Sequence, residues 1–311
     1  MCHNSGMPRD RLAAALDALV IRFRRQRPLR SGSLLVTIFG DAIVPRGGVA
    51  TLGSLIRLAA PFGLPERLVR TSVGRLAKEG WLSSRREGRQ SEYALTRHGR
   101  SRFAEATQRI YAEPPRGWEH RWTMLLLPAD SAKHRDRIRE ELQWLGFGQL
   151  NSGVLAHPSR GVADTRELLR EAGLADRAIV LDATGAGLAQ DRRLISIGWD
   201  LRGLARAYRR FIDSFETLRR LLRDDRVITP EAAFVIRTLL IHEYRKIHLR
   251  DPLLPHDLLP EGWVGTEAYD LCRELYRRVL ETSEEHLSVN GSRLEGPLGP
   301  LSREARQRFG G

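Results

Sequence analysis

The sequence predicts a multidomain α+β protein with an N-terminal winged helix-turn-helix, a central ferredoxin-like βαββαβ domain and a C-terminal helical domain. Three observations predict it. Pro65 to His98 reads as an amphipathic helix followed by a basic hairpin. Behind a proline-glycine linker at Glu113–Gly117, short buried runs alternate with helical ones. After Thr184–Gly187 only helical periodicity remains. The expected boundaries are a basic helical arm over 1–30, the winged domain over 31–112, the ferredoxin-like domain over 113–190, the helical domain over 191–287 and a flexible tail over 288–311.

A chain of 311 residues with a hydrophobic fraction of 41% can build two or three ordinary cores. Its net charge of +13 points to a polyanionic partner. The lysines are Lys78, Lys133 and Lys246, so the excess is almost all arginine. That bias can reflect genome composition, but exchanging Lys for Arg leaves net charge unchanged, and the excess still needs a cause. Cys2 and Cys272 are too few for a disulfide framework or a Cys-rich zinc site, which fits a reducing cytoplasm. No apolar run is long enough to span a membrane, and MCHNSGMPRDRL lacks the apolar region of a secretory signal.

In chain order, Leu12, Leu16, Leu19, Val20 and Phe23 mark a helical stripe over Pro8–Arg25 that ends among Arg22, Arg24, Arg25 and Arg27. It either packs on the winged domain or acts as an arm for dimerisation or phosphate contact, and the pattern leaves both open. Ser31 or Ser33 caps the next helix, with Leu34, Leu35, Ile38, Phe39, Ala42 and Ile43 inward. Thr51 caps a second, with Leu52, Leu55, Ile56 and Ala59.

Pro61-Phe62-Gly63 turns the chain into the third helix. Pro65 suits a first turn, and Glu66 lies at the positive end of the helix dipole. Val69, Val73 and Leu76 form one face; Arg67, Arg70, Thr71, Gly74 and Lys78 form the other, with Arg75 on its flank. A helix laid in a major groove needs such a face, able to hydrogen-bond phosphates and base edges without bulk that blocks approach. Gly80 ends the helix. Trp81–Arg86 and Glu92–Leu95 then flank a polar tip, Glu87-Gly88-Arg89-Gln90, and Thr96 caps a helix reaching about Ile110. A charged helix face or a polar hairpin tip alone describes any protein surface. Helix, glycine, basic hairpin and capped helix in this order favour DNA. The candidate DNA-binding residues are Arg67, Arg70, Thr71, Arg75 and Lys78 on the helix and Arg85, Arg86, Arg89 and Gln90 on the wing.

Past the linker, His120–Pro128 is a buried strand, Ser131 to Leu145 a helix, and Phe147–Leu150 with Val154–His157 a hairpin across Asn151-Ser152-Gly153. A helix near Ala163–Glu171 and a strand over Arg177–Asp182 complete the ferredoxin-like order. Long helices follow over about Trp199–Arg223, Thr229–His248 and Thr266–His286, the last two joined by a proline-rich loop, Asp251–Trp263.

Three stretches together resemble the PaaX-type transcriptional repressors of phenylacetate catabolism. They are Val69-Arg70-Thr71 through Arg75–Leu82, the central unit entered through Arg116-Gly117-Trp118, and His242-Glu243-Tyr244-Arg245-Lys246 followed by Asp251-Pro252-Leu253-Leu254-Pro255 and Leu258–Trp263. The proline and tryptophan spacing of the last is the most specific. The likeness covers about Ser31 to His286. It implies a cytoplasmic homodimer, not an enzyme, that binds operator DNA and leaves it when an acyl-CoA, typically phenylacetyl-CoA, binds. The helical domain would then serve dimerisation and effector binding. The candidate effector residues are Tyr244, Arg245, Lys246, His248 and Trp263, since cations hold CoA phosphates and an aromatic stacks on a flat ring. The ordinary alternative is that these cations complement a helix C-terminus and Trp263 is core.

Other motifs lead nowhere. His242-Glu243 lacks the second histidine of a zinc protease, since Lys246 stands there. Gly185-Ala186-Gly187 lacks the third glycine of a dinucleotide fingerprint, Gln190 standing in its place. No metal site, cofactor or catalytic residue is expected. Two rivals stay in view. The central unit is similar in fold to the small CRISPR-associated ribonucleases, and Asp130 lies near the place of their metal-holding aspartate, which would make the chain a metal-dependent nuclease. Alternatively, the chain binds nucleic acid without any effector.

Overall fold

The computed structural model describes residues 8–27, 31–114, 117–127, 139, 142–143, 145–171, 173, 175–223 and 228–310. The fold is mixed α+β and mostly helical, with three sheets among the described residues.

The N-terminal elements are α1 (Pro8–Arg24), α2 (Ser31–Ile38), β1 (Val49–Thr51), α3 (Leu52–Ala59), α4 (Glu66–Lys78), β2 (Leu82–Glu87), β3 (Gln90–Leu95) and α5 (Arg97–Tyr111). Helix α1 buries Leu12, Leu19 and Phe23, with the Phe23 ring edge-on to Phe62 and His242. Thr51 and Thr96 cap α3 and α5 as the sequence requires, accepting from the amides of Ser54 and Gly99. At α2 the serines do other work: the Ser31 hydroxyl bonds Ser72 of α4 at 2.8 Å, and the Ser33 hydroxyl accepts from Arg245 at 2.7 Å. One π-helical turn, Phe39–Ile43, extends α2. Strand β1, too short to show alternation in sequence, pairs antiparallel with β3 in a sheet ordered β1-β3-β2.

Centrally come β4 (Arg121–Leu126), β5 (Gly148–Asn151), β6 (Val154–His157), α6 (Val162–Glu171), β7 (Ile179–Thr184) and α7 (Leu188–Gly198). The strands form one antiparallel sheet ordered β5-β6-β4-β7, the ferredoxin-like order that the sequence predicts. The helix expected over Ser131–Leu145 lies largely outside the described residues, as does Asp130. Leu125, Leu142, Phe147, Leu155 and Leu169 fill one core, and Trp122, Ala156, Ile195, Leu254 and Leu258 another. Helix α7 was not expected. Its Ile195 joins the second core, and its buried Asp191 accepts the Trp122 indole N–H at 2.8 Å.

Helices α8 (Leu201–Leu222), α9 (Pro230–His248) and α10 (Val264–Asn290) follow, then β8 (Ser292–Arg293), β9 (Gly296–Pro297) and α11 (Arg303–Arg306). The chain divides into two compact units: 1–112 with 210–246 and 267–311, and 113–209 with 247–266. The helical segment 191–287, expected as a separate domain, is instead shared between them. Phe211, Phe215, Phe234 and Tyr276 are buried in the first unit and Leu254 and Leu258 in the second.

The flexible tail expected over 288–311 is also corrected. Residues 288–290 complete α10, and Leu298, Leu301, Ala305, Arg308 and Phe309 are buried. The Phe309 ring sits among Tyr111, Tyr244, Tyr269 and Tyr276, with centroids 5.2–6.4 Å apart. Beside it, the π-turn delivers Asp41 into a buried cluster. Its carboxylate accepts from Arg237 at 2.6 Å, Arg308 at 2.8 Å, Tyr111 at 2.6 Å and Tyr276 at 2.9 Å. Burial alone would push this carboxyl up, but Arg237, Arg308 and the two hydroxyls hold it below its ordinary value.

Candidate nucleic-acid interface

Helix α4 buries Val69, Ser72, Val73 and Leu76, which turns Arg67, Arg70, Thr71, Gly74, Arg75 and Lys78 outward. A Cβ added at Gly74 would meet nothing within 4 Å, so this face stays open to close approach. Gly80 ends the helix at φ +77°, and the Trp81 amide closes back onto Leu76 O at 2.9 Å. The Thr96 hydroxyl donates to Gly80 O at 2.6 Å, tying the start of α5 to the end of α4. A Cβ at Gly99 would lie 2.4 Å from Trp81 O, so only glycine permits this approach.

The wing pairs from Leu82↔Leu95 to Glu87↔Gln90, with Gly88 at φ +55° in the turn. Arg85, Arg86, Arg89 and Gln90 are exposed along it. All nine candidate positions are thus exposed in the first unit, on α4 and the hairpin that follows it. They differ in how they are held. Arg70 is gripped by Glu66 at 2.6 Å, Arg75 stands 3.5 Å from Glu79, and the Thr71 hydroxyl donates to Arg67 O at 2.9 Å. Arg85 is surrounded by Glu295 at 3.4 Å, Glu87 at 3.6 Å and Glu92 at 3.9 Å. Arg86 donates to Gly88 O at 3.2 Å. Arg67, Lys78 and Arg89 have no ion-pair partner among the described residues. Glu295 could not be anticipated, because it comes from the tail hairpin. The Leu294 amide of the same hairpin bonds Glu92 at 2.8 Å.

The candidate effector residues are not brought into one open site within either unit. Tyr244, Arg245 and Lys246 belong to the first unit, His248 and Trp263 to the second. Tyr244 is fully buried. Arg245 donates to Thr37 Oγ1 at 2.8 Å and to Ser33 O at 2.7 Å, and burial lowers its pKa to about 10. Lys246 bonds Glu243 at 3.1 Å and Gln26 at 3.4 Å. His248 shares a 3.0 Å hydrogen bond with the Tyr208 hydroxyl, and Trp263 packs edge-on to the Tyr208 ring. All five are engaged in holding the fold. The second unit does have a cleft of about 650 Å³, lined by Ile195, Trp199, Leu201, Leu258 and Leu259 with Arg192 and Arg202.

Models of three domains match the chain in succession: "PaaX-like protein" over 30–99, "PaaX protein central Cas2-like domain" over 115–195 and "PaaX-like protein C-terminal domain" over 199–289. The chain is also 37% identical over 300 residues to the transcriptional repressor PaaX of Escherichia coli (strain K12), covering 95% of each. The chain belongs to the PaaX family of transcriptional repressors. The solved structure of uncharacterized protein Rv0674 from Mycobacterium tuberculosis matches with 24% identity and a TM-score of 0.49, over 75% of this chain and 91% of that one.

The family matches give the layout a frame. The first covers α2 to the wing, and the second covers the ferredoxin-like sheet. The third spans α8 to α10, and the arm and most of the tail lie outside all three. Among the described residues no group of three or more His, Cys, Asp and Glu is placed to hold a metal ion, and no helix is long and apolar enough to cross a membrane.

Proposed function

We propose that this PaaX-family chain is a one-component repressor whose α2–α5 region, with its β1-β3-β2 sheet, is a winged helix-turn-helix. Helix α4 reads operator DNA in the major groove, and the wing grips its backbone. The observation that carries this is the outward cationic face of α4, open at Gly74 and continuous in sequence with the Arg85–Gln90 wing. An arginine bonded bidentately to guanine contributes about 1–3 kcal/mol of base discrimination. We assign Arg67, Arg70, Thr71, Arg75 and Lys78 to the groove and Arg85, Arg86, Arg89 and Gln90 to phosphate or minor groove. Replacing Arg89 with alanine should weaken binding to every sequence and shallow the salt dependence by about 0.9 in log–log slope. Replacing Arg70 should instead erode preference for operator over random DNA. Equal losses on both DNAs would make Arg70 a phosphate contact.

The regulated genes belong, on this reading, to an aromatic-acid operon of the phenylacetate type, and an acyl-CoA such as phenylacetyl-CoA releases the repressor. With Tyr244 buried and Arg245 bonded to Thr37 and Ser33, the better supported place for that effector is the cleft lined by Trp199 and Arg192, which offers an aromatic wall, a cation and room for an acyl group. A gel shift on DNA upstream of the neighbouring genes, with a panel of acyl-CoAs, tests the whole reading. No shift, or a shift indifferent to every acyl-CoA, would count against it. Incubation of labelled DNA and RNA with the protein and magnesium tests the nuclease alternative, and we expect no cleavage. We also propose a homodimer. Strand β7 is an edge of the central sheet and exposes Ile179 at 60% and Leu181 at 41%, an apolar edge that a second copy would cover. Sedimentation at the mass of one chain would remove that proposal.

A further inference from the structure

The helix and wing from Pro65 to His98 carry eight cations against four carboxylates, a net +4 of the chain's +13. Most of the basic excess therefore lies elsewhere. Over much of the surface it is neutralised locally: Arg121 pairs with Asp182, Arg170 with Glu167, Arg219 and Arg223 with Glu274, Arg273 with Asp270 and Arg306 with Glu281.

The first half of α8 is different. Its ten residues Leu201–Arg210 hold four arginines and no carboxylate. Arg202, Arg206 and Arg209 follow one another at i, i+4 and i+7, so they share a face, and all three are exposed. None has an ion pair or side-chain hydrogen bond among the described residues. Asp200 before them is occupied as a cap, accepting the Gly203 amide at 2.8 Å. Asp213 ends the row on the same face. Like charges four residues apart weaken a helix, so this arrangement gives the fold nothing. The backbone beneath them is fixed, because Tyr208, on another side of α8, donates to the buried Asp251 at 2.7 Å. Arg67, Lys78 and Arg89 show the same signature of outward, unpaired cations, on the surface already assigned to DNA.

We infer that Arg202, Arg206 and Arg209 form a second DNA-binding surface, one that grips duplex phosphates without reading bases. The inference rests on the reading of the chain as a DNA-binding repressor. The three side chains rise along the helix by steps of about 6 Å and about 4.5 Å, a spacing suited to successive backbone phosphates. With no serine, threonine, asparagine or glutamine among Leu201–Asp213, the row supplies charge and not base selection.

The test uses the full chain carrying R202Q, R206Q and R209Q together, beside a second variant with lysine at all three positions. Binding to DNA from upstream of the neighbouring genes and to a random duplex of equal length is measured over a range of salt. The glutamine variant should show a log K against log salt slope shallower by about 1.8–2.7, as when two to three phosphates are no longer neutralised, with the ratio between the two DNAs unchanged. The lysine variant should keep the wild-type slope. A wild-type slope in the glutamine variant overturns the inference, whatever happens to coenzyme A binding, because Arg202 also lines the cleft proposed for the effector. A shallow slope that lysine does not restore also overturns it, because charge is then not the cause. Failure of the wild type itself to bind either DNA would defeat the DNA reading, and this is seen before any variant is made.

Discussion

Asp41 shows how much one residue organises here. Its carboxylate lies within hydrogen-bond reach of two arginines and two tyrosines that come from α5, α9, α10 and the tail. Asp41→Ala would leave Arg237 and Arg308 buried without this counter-charge, and such a broken buried pair costs about 3–5 kcal/mol. Urea unfolding should show that loss. The pH dependence has a definite sign. Folding lowers the Asp41 pKa from its ordinary 3.8, so the stabilisation is fully present above that value and is lost as pH falls through the lower folded value. The denaturation midpoint of the wild type should therefore drop steeply at acid pH, and in Asp41→Asn that part of the drop should be missing. Nothing in the sequence marks Asp41, because an aspartate after Gly40 near a helix end reads as a surface residue.

At the scale of elements, α4 and the wing were legible because their signals are local. Apolar spacing, the Gly80 stop and the Thr96 cap all lie within a few residues of what they control. Gly74 separates folding from binding on this helix. Gly74→Ala should stabilise the fold by about 0.5–1 kcal/mol, since glycine is a poor interior helix residue and a Cβ there meets nothing. Gly74→Leu should keep the thermal midpoint yet weaken DNA binding. Unimpaired binding by Gly74→Leu would mean that this face does not enter a groove. Strand β1 escaped the sequence because three residues show no period, and α7 because it fills the short stretch between the Thr184–Gly187 break and the long helix expected from Trp199. The candidate effector residues show the same limit of local patterns. Arg245 and Lys246 near a helix end read as free cations in sequence, but Arg245 bonds Thr37 and Ser33 and Lys246 bonds Gln26, partners far away in the chain.

Across the whole molecule, the C-terminal segment is a structural part of the first unit. Phe309→Ala should cost about 3–5 kcal/mol, as for a large aromatic removed from a filled core. It should lower the melting temperature without altering the salt slope of DNA binding. An unchanged melting temperature would mean that the tail packs without stabilising the fold. The same hairpin places Glu295 beside Arg85 of the wing, so the tail also sets part of the charge at the proposed DNA surface.

The sequence by itself determined the α+β class, the order of the central strands, the α4-glycine-wing series and the excess of positive charge. Each depends on neighbours in the chain: the period of apolar residues, a capping hydroxyl, a glycine at positive φ. Tertiary structure alone decided that the C-terminal helices are shared between two units, that the tail is core, that Tyr244 is buried and that Arg245 is bonded to Thr37 and Ser33. It also separated the paired arginines from the unpaired ones. Those outcomes rest on partners far apart in sequence, 196 residues for Asp41 and Arg237 and 267 for Asp41 and Arg308, and local patterns carry no trace of such pairings.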